Sequence, residues 1–173
     1  MVESGDLVHH SGSKWWILSH YSEKGVICMF MGQYNHSIDA KGRVIIPAKF
    51  RDKLGDVFVV TKGIDGNLDG YADAEWKEFE EKLKALPNAN ADARNFKRFF
   101  LAGAAECELD KQGRILIPPV LREYAGLDKD VVVVGSAGKI EIWSKERWDA
   151  SSAKYDGNIE QIAANMDKLG FLI

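Results

Sequence analysis

Two aspartate–arginine pairs are the residues of this chain best equipped for chemistry. Asp39-Ala40-Lys41-Gly42-Arg43 is answered 71 residues later by Asp110-Lys111-Gln112-Gly113-Arg114. In each, a carboxylate stands four residues before a guanidinium, with a lysine and a glycine nearby. Acid–base catalysis is not what such a pair offers, because arginine stays protonated in proteins. Recognition is what it offers: the guanidinium presents five donors in a planar fork that fits a phosphate or the edge of a guanine. Lys41 and Lys111 add positive charge beside the two forks. On this reading Asp39 and Asp110 orient the loop and aim the arginine, and do not touch a phosphate themselves. The same spacing also fits a purely structural pair, in which Asp caps a turn, holds Arg and binds nothing; such a surface pair adds little stability. Both readings stay open at this level.

The elements that must position these residues repeat with them. Residues 38–47 return as 109–118, Arg51 returns as Arg122, and Leu54-Gly55 returns as Ala125-Gly126. After a three-residue insertion Asp56–Val60 matches Asp130–Val134, and Gly66 and Trp76 match Gly138 and Trp148 at an offset of 72. Two copies of about 45 residues make a fused pseudo-dimer, since a solenoid needs about three units or more. In each copy Asp opens a turn by accepting backbone N–H groups. Gly42 and Gly113 supply the positive φ that the turn requires. Val44–Ile46 is short, apolar and β-branched, which predicts a buried strand, and Ile115–Ile117 is its counterpart in the second copy. Pro47 and Pro118 open short helices that end at Gly55 and Gly126.

Further along, Val57–Val60, Val131–Val134 and Ile140–Trp143 read as strands, and Thr61–Asp69 as a glycine-rich turn region. A strand runs from Gln33 into Asp39, and Glu106 and Glu108 alternate around Cys107 as in a strand. Helical spacing predicts helices over Asp73–Lys84, Asp92–Ala104, Lys145–Tyr155 and Asn158–Leu169, with Ser144 as an N-cap. The resulting division is an extension over 1–28, a first repeat over 33–80, a linker and amphipathic helix over 81–104, a second repeat over 105–150, and a C-terminal helix over 151–173.

Charge is unevenly spread. The 173 residues carry a formal −3, yet residues 39–53 carry +3 and residues 110–122 carry +2. Both repeated hairpins are therefore basic islands on an acidic body, which points to a polyanion more than net charge does. Lys49, Arg51 and Lys53 enrich the helix of the first copy, whereas the second answers with Arg122 alone. A solvated helix face is the plainer reading of those residues.

Other classes find no machinery. No nucleophile–base pair, phosphate-binding glycine loop or metal cluster is visible, so no enzyme, cofactor, metal site or small-molecule substrate is expected. Cys28 and Cys107 lack metal-ligand spacing, and Cys107 reads as a small apolar residue. No apolar run approaches the ~18 residues of a membrane span, and no signal peptide is seen, so a cytoplasmic protein is expected. Trp76, Phe79, Phe96, Phe99, Phe100, Trp143 and Trp148 read as core or subunit-interface residues and not as a base-stacking platform. Residues 1–28 hold His9, His10 and His20 without a clear period. They read either as an extension that packs through Trp15 and Trp16, or as residues ahead of a start at Met29 or Met31. His9-His10 alone makes a poor metal site.

The segment Met29-Phe-Met-Gly-Gln-Tyr-Asn-His-Ser-Ile-Asp-Ala-Lys-Gly-Arg-Val-Ile-Ile-Pro-Ala-Lys-Phe-Arg resembles the start of the bacterial MraZ family, and Leu109–Pro118 resembles its second repeat. The likeness covers roughly residues 29 to 171. A single motif would indicate only the wider SpoVT/AbrB group of swapped-hairpin proteins. The resemblance implies an α+β fold of two AbrB-like swapped-hairpin repeats about a pseudo-twofold, with a small barrel-like β core and flanking helices. It implies a nucleoid-associated transcriptional repressor that binds tandem short repeats of double-stranded DNA upstream of the division and cell-wall gene cluster. It implies ring-shaped homo-oligomers, and DNA contact through Arg43 and Arg114. Lys41, Lys111, Lys49, Arg51 and Arg122 follow as further contacts. A ring-forming scaffold that acts through a protein partner is the alternative.

Overall fold

The computed structural model describes residues 29–171. Everything said above of residues 1–28, including the packing of Trp15 and Trp16, the His9-His10 pair and Cys28, lies outside the described residues.

In chain order the elements are β1 (Phe30–Ser37), β2 (Arg43–Ile45), α1 (Ala48–Leu54), β3 (Val57–Lys62), β4 (Leu68–Tyr71), α2 (Asp73–Lys84) and α3 (Ala91–Leu101). They are followed by β5 (Ala105–Glu108), β6 (Arg114–Leu116), α4 (Pro119–Ala125), β7 (Asp130–Ala137), β8 (Lys139–Ser144), α5 (Lys145–Asp156) and α6 (Ile159–Lys168). Six strands form one antiparallel sheet in the order β1-β7-β8-β4-β3-β5, and β2 and β6 form a separate two-stranded ribbon. The fold is α+β, and the sheet stays open instead of closing into a barrel.

The halves exchange their first strands. β1 of the first repeat pairs with β7 of the second, from Phe30 opposite Ala137 to Ser37 opposite Asp130. β5 of the second pairs with β3 of the first, from Val57 opposite Glu108 to Val60 opposite Ala105. β4 meets β8 at the centre, with Asp69 opposite Glu141. In the ribbon, Val44 lies opposite Ile115. These two pairs join equivalent positions of the two repeats, so the pseudo-twofold passes through both. Read from either edge, the sheet order is the same.

The core lies between ribbon and sheet. Val44, Ile46, Ile115 and Ile117 are fully buried against Phe58, Val60, Val131 and Val133. Val132, on the other face of β7, is also fully buried. Burial on both faces explains why β7 reads as a continuous valine run and not as an alternating one. α2 and α3 pack beside β3, and α5 packs beside β7 and β8.

Three sequence expectations change. The turn expected over Thr61–Asp69 is confined to residues 63–67, because β3 runs through Lys62 and β4 begins at Leu68. Thr61, Asn67 and Asp69 are interior; Asn67 Nδ2 donates to Asp69 Oδ1 at 2.8 Å and Lys139 Nζ donates to Asp69 Oδ2 at 2.7 Å. Burial still raises the Asp69 carboxyl above the usual range, against the pull of Lys139. Second, α3 ends at Leu101, short of Ala104. The buried Thr61 hydroxyl donates to the Phe100 carbonyl at 2.7 Å, and the chain turns there into β5. Third, Ile45 is not buried but faces outward, because a ribbon has only one covered face.

Candidate nucleic-acid interface

Each hairpin turn is built around its aspartate. Asp39 Oδ1 accepts the backbone N–H groups of Lys41 and Arg43, both at 2.9 Å. Gly42 N–H closes the turn onto the Asp39 carbonyl at 2.8 Å, with Gly42 at φ 84°. The other carboxylate oxygen takes the arginine: Arg43 Nε donates to Asp39 Oδ2 at 2.7 Å, and Nη2 lies 2.6 Å from it. The second hairpin reproduces this. Asp110 Oδ1 accepts from Gln112 N–H at 2.9 Å and Arg114 N–H at 3.0 Å, and Oδ2 accepts from Arg114 Nε at 2.8 Å. Gly113 stands at φ 74°. These hydrogen bonds, the arginine side chain's first, hold both carboxyls down to about 2.

Asp thus occupies one edge of each guanidinium and leaves Nη1 and one Nη2 hydrogen for a ligand. The side chains of Arg43 and Arg114 are 30% and 22% exposed. Both stand on the outer face of the ribbon, where Arg43 lies opposite Leu116 and Arg114 opposite Ile45. The swap and the ribbon bring the two turns, 71 residues apart in sequence, onto one surface. Lys41 and Lys111 are exposed at the turn tips, and Lys49 is exposed on α1.

Arg51 and Arg122 occupy different surroundings from these. Arg51 on α1 lays its guanidinium over Gly113, the turn glycine of the other half, and its Nε donates to the Ile46 carbonyl at 2.7 Å. Arg122 on α4 lies over Gly42 in the same crossed manner. Its Nε is buried without a hydrogen-bond partner, as is His36 Nε2. Backbone bonds run alongside: Ile46 N–H donates to the Gly113 carbonyl at 2.9 Å and Ile117 N–H to the Gly42 carbonyl at 3.0 Å. Each turn is therefore clasped by a strand end and a helix arginine from the opposite repeat. Sequence reasoning matched Arg51 to Arg122 and Gly42 to Gly113, but nothing in it showed that the arginines cross between copies. Burial, and next the Arg51 charge, push the His36 imidazole below its ordinary value.

Burial lifts the Cys107 thiol to about 11, which keeps it protonated and a poor nucleophile. Among the described residues, no three His, Cys, Asp or Glu side chains gather in a way that would hold a metal ion. No helix among them is long and apolar enough to cross a membrane.

Comparison with known proteins finds relatives over most of the chain. The family model described as "MraZ protein, putative antitoxin-like" matches the chain twice, over residues 29–99 and 100–169. The Transcriptional regulator MraZ of Lachnoclostridium phytofermentans is 61% identical over 142 residues, covering 82% of this chain and 98% of that protein. Its namesake in Desulforamulus reducens is 59% identical over 138 residues, covering 80% and 97%. The one in Acetivibrio thermocellus is 54% identical over 142 residues, covering 82% and 99%.

Proposed function

The chain belongs to the MraZ family, and on that premise we propose that it is a sequence-specific DNA-binding transcriptional regulator. It represses the division and cell-wall gene cluster by binding tandem short repeats in its own promoter. Regulation of transcription is what its relatives are named for; the operator, the repression and the contacts are our reading.

One observation carries it: two aspartate-clamped arginines share the outer face of a single two-stranded ribbon. A two-stranded ribbon fits the major groove of B-form DNA, about 12 Å wide, where arginine pairs with the O6 and N7 of guanine. Clamping fixes each fork before binding, so little side-chain entropy is lost on contact. Arg43 and Arg114 read bases, and Lys41 and Lys111 lie toward the phosphates. Lys49, on the first helix only, adds backbone attraction to one side. Arg51 and Arg122 position the turns and do not meet DNA. No enzymatic step is required of any of them.

One ribbon with so few charges binds weakly alone. Copies joined in a ring-shaped homo-oligomer and sites joined in tandem gain avidity with no new contact. Self-association is favoured by α6, which leaves Ile159 and Ile162 exposed, with Leu169 exposed just beyond its end. A protein of this kind works in the cytoplasm, on the nucleoid. The test is titration of the promoter duplex at several salt concentrations. Affinity falling steeply and linearly on logarithmic axes supports DNA binding. Salt-insensitive or absent binding supports instead a scaffold acting through a protein partner.

A further inference from the structure

We propose that Ile45 and Leu116 are specificity-determining residues, which read thymine methyl groups in the major groove beside the bases read by Arg114 and Arg43. The inference rests on the DNA-binding reading above and adds to it what the ribbon reads besides guanine.

Ribbon alternation puts Val44 and Ile115 inward, both fully buried, and the residues on either side outward. An outward position on a half-covered antiparallel pair is ordinarily polar. Here the outward face holds Arg43, Ile45, Arg114 and Leu116, with Ile45 39% and Leu116 59% exposed. The two aliphatics occupy equivalent positions of the two repeats. Nearby positions on the short helices differ between copies, Lys49 against Val120 and Lys53 against the partly buried Tyr124. The ribbon face has kept its pattern of one arginine and one aliphatic per strand.

The occupant follows from what surrounds them. Each aliphatic lies directly opposite an arginine whose carboxylate clamp holds it at the same face. Lys41 and Lys111 flank that face at the turn tips. A cationic rim around aliphatic side chains suits a polyanion that also offers apolar groups. The major groove is such a surface: it carries phosphates at its walls, guanine acceptors on its floor, and the methyl of thymine as its apolar feature. The pseudo-twofold through Val44 and Ile115 relates the Arg43–Leu116 pair to the Ile45–Arg114 pair, so each arginine sits beside one aliphatic in the same relation. The preferred site is then a guanine with a thymine close by, presented twice about an approximate dyad.

The test compares two duplexes of the promoter immediately upstream of this chain's own coding sequence, one with thymine and one with deoxyuridine throughout. Uracil keeps the pairing and removes the methyl. The full chain should bind the uracil duplex more weakly, by roughly fourfold for each methyl that the ribbon would otherwise bury. Ile45→Ala with Leu116→Ala should bind the two duplexes equally, and Ile45→Val with Leu116→Ile should restore the preference. Equal binding of both duplexes by the unaltered chain overturns the inference and leaves DNA binding standing. So does a methyl preference that survives in the alanine variant. An alanine variant that loses self-association gives these side chains to contacts between copies, and also overturns it. Failure of the unaltered chain to bind either duplex overturns the functional reading itself.

Discussion

Arg51 lies over Gly113, a residue of the opposite repeat, so closely that a Cβ on that glycine would sit 2.1 Å from Arg51 Cζ. The mirror relationship holds for Arg122 and Gly42, where a Cβ would sit 2.6 Å from Arg122 Cζ. The turn that carries each aspartate–arginine clamp is therefore braced by the helix of the other half. The two hairpins are thereby tied to each other, as the proposed DNA contact through both arginines requires.

Gly113→Ala meets two obstacles, the positive φ of 74° and the guanidinium above it. It should destabilise the protein by about 1–3 kcal/mol. Arg51→Ala removes one obstacle and leaves the other, so the double variant should lose less than the sum of the single ones. Denaturant unfolding of the four proteins measures the cycle. Simple additivity would show that the stacking carries no coupling.

Arg51→Ala should also lower DNA affinity while leaving the salt dependence unchanged, because it positions the turn without neutralising a phosphate. Lys49→Ala should shift the slope by about one contact. Parallel titrations of the two variants separate these roles.

Strong acid should loosen the turns. The Asp39 and Asp110 carboxyls sit at about 2, below their ordinary 3.8. A carboxyl depressed in the folded state stabilises above its unfolded value and loses that contribution as pH falls through the folded one. Asp39→Asn with Asp110→Asn should therefore be less stable than the unaltered chain at neutral pH, with the gap closing between about pH 4 and pH 2. Melting temperature against pH checks this, and a constant gap contradicts it.

His36 acts in the next window up. Burial and Arg51 lower its value from 6.5, so the folded state prefers the neutral ring. Stability should decline as pH falls below about 6.5, and His36→Gln should flatten that part of the profile. Melting curves from about pH 7.5 to about pH 5 span this window.

Much of this was readable in the sequence, and the rest fails for identifiable reasons. The turn at Asp39–Gly42, the helix from Ala48 to Leu54 and the Ser144 cap, which accepts from Arg147 N–H at 3.3 Å, are local events encoded by local residues. Strand exchange is not local. Two similarly patterned copies offer β1 two comparable partners, and hydrophobic pattern alone does not choose between β3 and β7. The Ile45 error has a similar cause: three apolar residues in a row read as buried on both faces, whereas a two-stranded ribbon buries one. Asp69 reads as a loop residue because the lysine that satisfies it is Lys139, 70 residues away. The crossed arginines were invisible until pairing set each helix over the other turn.

Tandem sites should bind far more tightly than single ones. At fixed salt, a duplex with several promoter repeats should exceed a one-repeat duplex by roughly 100-fold or more, the usual scale of linked binding. Mobility shift resolves the two, and equal affinities would remove avidity from the account.

The central claim is that Arg43 and Arg114 read DNA from the ribbon face, and it is tested most directly by fluorescence anisotropy of the tandem-repeat promoter duplex. Arg43→Ala and Arg114→Ala should each lower affinity by roughly 10-fold or more, the scale of one good bidentate base contact. The double variant should bind promoter and unrelated DNA alike, with its assembly in solution unchanged. Promoter affinity and preference that persist in the double variant, or loss of assembly in place of loss of binding, would contradict the account and return the aspartate–arginine pairs to a purely structural role.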